Sequence, residues 1–246
     1  LPQLEGAVHL QAEFDVKASA ARLRQAAKPV FLLGGGGECS GLGARAQRAA
    51  ARICAVLGAT AFAETFPARA ERGGDLPDFD RLPYFPEPAR AVLDAAGVVV
   101  LAGAPIPITY FGYEGHPSQL VEEGRLLHLS RPGEDAASRL EALADALEAP
   151  AYKAPETELP AAAAGELTPQ KIAATVARLL PANAIVSGEG GTCGYPFYAA
   201  SAGAALHTTI TNTGGAIGQG LPVSMGAAIA CPGRPVVALL SDGSIH

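Results

Sequence analysis

The stretch "GGAIGQGLPVSMGAAIACPGRPVVALLSDGS" (214–244) joins a glycine-rich turn, a helix of small residues and a hydrophobic strand that ends in an acidic turn. We predict the helix over 218–231 and a fully buried strand in 234–244. In a parallel α/β sheet, ligands bind beyond the carboxyl ends of the strands, and Asp242 lies at such an end. Gly243 has no Cβ, so a ligand can approach the backbone there. The alternative is an Asp-Gly turn that only ends a strand.

A second glycine turn, "SGEGGTCGYP" (187–196), follows another predicted strand. Its backbone amides and the Thr192 hydroxyl can bind an anion. The carboxylate of Asp242 suits Mg²⁺, which takes one or two carboxylates together with phosphate oxygens and water. The two glycine turns and the acidic turn together predict a pocket for a phosphate and a metal ion.

The rest of the chain alternates short aliphatic runs with amphipathic, Ala- and Leu-rich stretches. This alternation predicts parallel strands connected by helices. We expect strands in 29–37, 59–65, 97–103, 124–130, 183–191 and 205–211, and helices over 41–58, 87–96, 134–149 and 167–180. Thr168 is the expected N-cap of the last of these helices, with Pro169 at its first position.

The predicted fold class is therefore α/β, with two doubly wound parallel-sheet, Rossmann-like domains of which the second is incomplete. The expected domains are residues 1–150 and 166–246. A Pro- and Ala-rich segment without periodicity, 151–165, is the expected linker.

The composition of the 246 residues narrows the function. Hydrophobic residues make up 49%, charged residues 17%, and the net charge is −6, so we expect no nucleic-acid partner. No apolar run is long enough to cross a bilayer, and we expect no membrane partner and a cytoplasmic location. The four cysteines (Cys39, Cys54, Cys193 and Cys231) lack zinc-site spacing, and we predict small, mostly buried thiols.

Residues 165–246 resemble the first half of the diphosphate-binding domain of thiamine diphosphate enzymes, closest to acetolactate synthase large-subunit-like proteins. The resemblance rests on "GGAIGQGLPVSMGAAIACPGRPVVALLSDGS", and residues 1–150 are similar to the middle domain of that family. It implies a thiamine diphosphate- and Mg²⁺-dependent enzyme that decarboxylates a 2-keto acid and passes the carbanion to a carbonyl or a proton. It also implies a homodimer or tetramer and a role in branched-chain amino acid biosynthesis.

The resemblance also assigns residues. Asp242 matches a metal ligand, Ile217 matches the apolar residue that bends the cofactor, and Gly215 matches the position that meets the aminopyrimidine. The full set of implied cofactor-binding residues is Glu189, Gly190, Gly191, Thr192, Gly215, Ala216, Ile217, Gly243 and Ser244.

The sequence departs from the family in three respects. Ser241 stands where the family has the first glycine of Gly-Asp-Gly. The second metal ligand, an Asn, would lie beyond His246, and the domain that supplies the activating glutamate would precede Leu1. We therefore expect a fragment that on its own binds thiamine diphosphate only weakly or not at all. The alternative is a catalytically silent homologue that binds a nucleotide or a partner.

The glycine loop "FLLGGGG" (31–37) fits a dinucleotide fingerprint only loosely, because Cys39 stands where the last glycine should fall. A structural loop, an FAD site and a site for another nucleotide remain alternatives, and Glu64 is a candidate ribose ligand. The aromatic loop 107–115 would face such a ligand. We interpret His116 as a structural or surface residue. Arg69, Arg72 and Tyr84 are expected in loops at a subunit interface.

Overall fold

A computed structural model of the chain describes residues 14–192 and 194–244. Two four-stranded sheets, each with helices packed on it, make up the fold. In chain order the elements are α1 (Val16–Gln25), β1 (Val30–Leu33), α2 (Ala44–Leu57), β2 (Thr60–Ala63), β3 (Arg69–Arg72), α3 (Pro86–Leu93), β4 (Val99–Ala102), β5 (Leu126–Ser130), α4 (Ala136–Ala146), α5 (Pro169–Leu179), β6 (Ile185–Gly188), α6 (Gly194–Ala200), β7 (His207–Thr211), α7 (Gly220–Ala230) and β8 (Val236–Leu239).

The first sheet has the strand order β2-β1-β4-β5, and all of its pairings are parallel. Its central strands are buried on both faces: Phe31 and Val100 pack with α2 and α4, whereas Leu32 and Leu101 pack with α3. Helices therefore cover both faces, as predicted for a doubly wound sheet. The hydrophobic runs specify these strands because each residue finds apolar neighbours on its own side.

The second sheet has the order β3-β7-β6-β8, with β7, β6 and β8 parallel and β3 antiparallel to β7. Thr168 accepts the N–H of Lys171 and caps α5, as predicted. Strand β8 was predicted to be fully buried, and this is wrong. Only Leu239 is buried and Ala238 is exposed, because β8 is an edge strand with β6 as its single neighbour among the described strands.

The prediction that Arg69 and Arg72 lie in loops is also wrong, since both lie in β3, and Arg72 is buried. The Arg72 Nε donates to the Tyr198 carbonyl at 2.8 Å, and its guanidinium pairs with Asp78 at 2.7 Å. The guanidinium carbon lies 3.9 Å from the centre of the Tyr198 ring. A strand from the first part of the chain is thus anchored in the second sheet.

The thiol prediction holds only in part. Cys39 is exposed, because it follows the glycine turn on the surface, while Cys54 and Cys231 are half-buried. Cys193 lies outside the described residues. Residues 151–164 contain no helix or strand, and among the described helices none is long and apolar enough to cross a bilayer.

Candidate functional site

Three loops meet at the carboxyl edge of the second sheet. They follow β6 (residues 189–192), β7 (residues 212–218) and β8 (residues 241–244). Because β6, β7 and β8 are parallel and adjacent, their carboxyl ends lie at one edge. The candidate thiamine diphosphate- and metal-binding residues named from the sequence all belong to these three loops.

Glu189 joins the three loops. One oxygen of its carboxylate accepts the N–H of Gly218 at 2.7 Å, and the other accepts the N–H of Gly220 at the start of α7. The Ser244 hydroxyl also hydrogen-bonds to this carboxylate. Burial alone would raise the pKa of Glu189, but the hydrogen bonds from Ser244, Gly218 and Gly220 lower it. Glu189 is therefore a buried carboxylate whose oxygens accept hydrogen bonds from the loops themselves.

The loop after β7 holds its glycines in left-handed conformations, with φ of 65° at Gly214, 76° at Gly215 and 93° at Gly218. The Gly215 amide donates to Asn212 and the Ala216 amide to Thr213, which closes a 3-10 turn. This tight turn presents Ile217 outward, and its side chain is 82% exposed. An aliphatic side chain held in solvent at a loop tip is available to contact a ligand.

Asp242 opens a 3-10 turn, Asp242–Ser244, which the Ser244 amide closes by donating to Ser241 at 3.0 Å. The Asp242 side chain is exposed, and Ser241 is not among the non-glycine residues with positive φ, which in the described chain are Lys28, Glu148 and Asn183. The serine in place of glycine therefore causes no backbone strain. In the described residues, no three or more His, Cys, Asp or Glu side chains lie together in a group that could hold a metal ion. Mg²⁺ takes one or two protein carboxylates together with phosphate oxygens and water, and Asp242 supplies one exposed carboxylate.

The first glycine loop divides into a packed half and an open half. The amides of Glu189 and Gly190 both donate to the Leu239 carbonyl, and a Cβ at Gly190 would come 3.0 Å from the Leu240 carbonyl carbon. Gly191 and Thr192 are exposed. The open half leaves backbone exposed to an anion. A Cβ at Gly191 would come 3.7 Å from the Tyr195 ring, whereas one at Gly214, Gly218 or Gly243 would meet nothing within 4 Å.

Sequence reasoning missed two residues beside this edge. Arg81 and Tyr195 line a small cavity of about 10 Å³ with Gly188, Glu189 and Asn212, which is room for about one water molecule. The Arg81 guanidinium lies 4.1 Å from the Tyr198 ring centre, its Nε has no hydrogen-bond partner in the described chain, and burial lowers its pKa. A lone arginine between prolines and acids in "PDFDRLP" gave no signal of this position.

The carboxyl edge of the first sheet holds a larger cavity, of about 360 Å³. Glu64 and Tyr110 line it, so the aromatic loop 107–115 does face this edge, as predicted. His116 lies 3.2 Å from Glu87 in an ion-pair contact, away from this cavity. Tyr84 lies in a loop, as expected, and stacks on Tyr110 with 5.6 Å between ring centres.

Comparisons with known proteins agree on one family. A family model described as "Thiamine pyrophosphate enzyme, C-terminal TPP binding domain" matches residues 191–246. The chain is 46% identical over 238 residues to a Mycobacterium tuberculosis protein named "Putative acetolactate synthase large subunit IlvX", covering 95% of this chain and 45% of that protein.

Solved structures show the same fold. The thiamine diphosphate-dependent 4-hydroxybenzoylformate decarboxylase of Rhodococcus jostii RHA1 superposes with a TM-score of 0.71 at 23% identity, covering 98% of this chain and 48% of that one. The benzoylformate decarboxylase of Polynucleobacter necessarius gives 0.68 at 20% identity, covering 100% and 50%. The chain thus spans about half the length of the relatives it matches.

Proposed function

Because this chain belongs to the thiamine diphosphate-dependent enzymes of the acetolactate synthase large-subunit-like kind, we propose that it contributes the diphosphate-binding edge of a Mg²⁺-dependent enzyme acting on 2-keto acids. The observation that carries the proposal is the junction made by Glu189. Its hydrogen bonds hold the loops after β6, β7 and β8 together, so a diphosphate, a metal ion and a thiazolium ring can be bound at one edge.

The loop residues have the chemistry and the exposure that binding of this cofactor requires. Asp242 would bind Mg²⁺, and the exposed amides of Gly191, Thr192 and Gly243 would bind the diphosphate. The left-handed Gly215 and the extended Ala216 that follows it would contact the pyrimidine. Three residues would act indirectly, by fixing the positions of the loops that carry these groups: Glu189, Gly190 and Ser244.

Ile217 has a separate role in the proposal. An aliphatic side chain forms no hydrogen bonds, so it can press between two rings without competing for their polar atoms. Its 82% exposure means that contact with a cofactor would remove apolar surface from water. Thiamine diphosphate, when bound, supplies the electron sink that a 2-keto acid needs to lose CO₂. The chain's own residues bind, bend and orient it.

Calorimetry of the full chain with thiamine diphosphate, in the presence and absence of Mg²⁺, tests this function. We expect binding that requires Mg²⁺ and that Asp242→Asn weakens at least tenfold. Asp94→Asn is the matched control, because Asp94 is an exposed aspartate at the C-cap of α3 that pairs with Arg90. Equal binding by wild type and Asp242→Asn, or binding independent of Mg²⁺, would contradict the metal assignment. Binding with no CO₂ release from pyruvate by the protein that carries this chain would favour the catalytically silent homologue.

We further propose that the enzyme works in the cytoplasm as a homodimer or tetramer, and that acetolactate formation places it in branched-chain amino acid biosynthesis. The apolar residues Met225 and Ile229, both largely exposed on α7, support an association surface. Sedimentation of the protein at micromolar concentration tests the assembly, and a monomer would contradict it.

A further inference from the structure

The cavity at the carboxyl edge of the first sheet has the size of a small-molecule site. Its volume is about 360 Å³, and it extends from the ends of β1, β2 and β4 to Thr213 and Gly214 of the second sheet's loops. The walls are mainly apolar. They include Leu32, Phe66, Leu82, Ile106, Ile108 and Leu120.

In the glycine loop beside this cavity, three backbone amides already donate hydrogen bonds within the protein. The amide of Gly34 donates to Ala102, that of Gly35 to the Glu64 carboxylate at 2.5 Å, and that of Gly36 to Arg69. The first two glycines are also required by packing. A Cβ at Gly34 would come 1.9 Å from the Gly103 carbonyl oxygen, and one at Gly35 would come 2.7 Å from Pro67. These three amides therefore are not free to bind a phosphate.

Glu64 places an uncompensated carboxylate in this cavity. Its Oε1 accepts the Gly35 amide, while Oε2 receives no hydrogen bond from residues 14–192 or 194–244. Among the described residues that line the cavity there is no Lys, Arg or His, and Glu64 and Tyr110 are the titratable ones. Burial raises the pKa of Glu64 to about 7, against the smaller opposing effect of the Gly35 amide. A cation that binds next to a carboxylate in this setting stabilises its charge.

Two aromatic rings stand beside the carboxylate. Phe66 and Tyr110 both line the cavity and meet edge to face, with ring centres 4.9 Å apart. Aromatic faces attract ammonium groups, and the attraction grows when water is excluded. An acid, aromatic rings and apolar walls together favour an amine on an apolar body.

We propose that this cavity binds a small organic cation, a primary amine on an aromatic or branched aliphatic body, whose ammonium group donates to Glu64 Oε2 and lies against Phe66 and Tyr110. A nucleotide is disfavoured because its phosphates would meet Glu64 and find the amides of Gly34, Gly35 and Gly36 already bonded. A keto acid is disfavoured because it brings a second carboxylate. The cavity adjoins the diphosphate edge at Thr213 and Gly214, but the proposal does not rest on the proposed function.

Isothermal titration of the full chain with phenethylamine tests this site. We expect a Kd below about 1 mM at pH 8. Hydrocinnamate, which carries a carboxylate on the same body, and ADP should not bind in this range. Glu64→Gln should weaken phenethylamine binding at least tenfold, because it keeps an acceptor for Gly35 but removes the charge. Glu156→Gln, at an exposed position in 151–165, should leave it unchanged.

The wild-type protein alone gives a second test. An alkylammonium keeps its proton well above pH 8, so Glu64 is the group among the described cavity-lining residues and the amine whose charge changes between pH 6 and pH 8. Affinity should therefore rise about tenfold over that interval. The Gly35 amide resonance should shift on adding phenethylamine, since its acceptor is Glu64. These two measurements stand even if Glu64→Gln does not fold. No saturable binding below 1 mM, equal binding by Glu64→Gln, a flat pH profile, or displacement of the amine by ADP would each overturn the proposal.

Discussion

The carboxylate of Glu189, at the end of β6, accepts the backbone N–H of Gly218 at 2.7 Å, and Gly218 directly follows the exposed Ile217. A residue that the sequence places in a phosphate-binding loop is thus the support for the neighbouring loop. Glu189 is only 8% exposed, and the same carboxylate reaches Gly220 and Ser244. The shape of the proposed cofactor site therefore depends on one buried negative charge.

We expect Glu189→Gln to lower the free energy of unfolding by about 2 kcal/mol at pH 7. Hydrogen bonds to a charged group contribute about 1.5–3 kcal/mol, and an amide cannot accept two N–H donors through both of its heavy atoms. Urea unfolding measures the change. Glu156→Gln, at an exposed position, is the control and should differ from wild type by less than about 0.5 kcal/mol.

The pH dependence of the Glu189 effect has a definite sign. Because the folded protein lowers this pKa, the stabilisation is present above the unfolded value, 4.5, and is lost as the pH falls through the folded value. The difference between wild type and Glu189→Gln should shrink in acid. A difference that stays constant from pH 7 down to pH 3 would contradict the hydrogen-bond assignment.

Alanine substitutions at two glycines of α7 should change the stability of the protein in opposite directions. A Cβ at Gly220 would come 2.5 Å from the Leu240 side chain and 2.8 Å from the Glu189 Cβ, whereas one at Gly226 would meet nothing within 4 Å. We expect Gly220→Ala to destabilise the protein by about 1–3 kcal/mol through overpacking. Gly226→Ala should stabilise it by about 0.5–1 kcal/mol, because alanine is the better helix former. Thermal and urea unfolding of both variants test the pair, and stabilisation by both would mean that α7 lies further from Glu189.

Sequence pattern was sufficient where local and global signals agree. The run Val30–Leu33 is continuously hydrophobic, Ile185–Gly188 begins with two β-branched residues, and both lead into glycine turns. The helix that follows the first run, α2, has a periodic apolar face. The three loops of the candidate site could be placed together for the same reason, since parallel strands bring their ends to one edge.

The sequence pattern did not predict the structure where a residue's environment is formed by residues far away in the sequence. Arg69–Arg72 is mostly charged and becomes a strand only by pairing with β7, more than 130 residues away. The role of Glu189 also depends on where its side chain points, which spacing does not encode. Strand β8 is hydrophobic enough for a central position, but its place at an edge follows from the pairing order.

Arg72 and Arg69 offer a matched test of this anchoring strand. Each forms an ion pair at 2.7 Å, but the Arg72 side chain is 4% exposed and the Arg69 side chain 43%. Arg72→Met should cost about 3 kcal/mol, because it removes hydrogen bonds to Tyr198 and Ser201 as well as the pair with Asp78. Arg69→Met should cost less than about 1 kcal/mol. Equal effects in urea unfolding would contradict the burial of β3 in the second sheet.

Glu64 should make the protein less stable as the pH rises. Its folded pKa of about 7 lies above its ordinary value of 4.5, because burial disfavours the charge. The folded state therefore binds the proton more tightly than the unfolded state, and the resulting stabilisation is full below pH 4.5 and lost as the pH rises through 7.

A shift of this size corresponds to about 3 kcal/mol. Because Glu64→Gln does not titrate, its free energy of unfolding should rise relative to wild type by about that amount between pH 4 and pH 8. Urea unfolding at pH 4, 6 and 8 measures the difference, and Glu156→Gln should show none. If the difference in free energy of unfolding between wild type and Glu64→Gln stays constant over this pH range, folding does not raise the pKa of Glu64. The charge available to a cation in the cavity would then not change near neutrality.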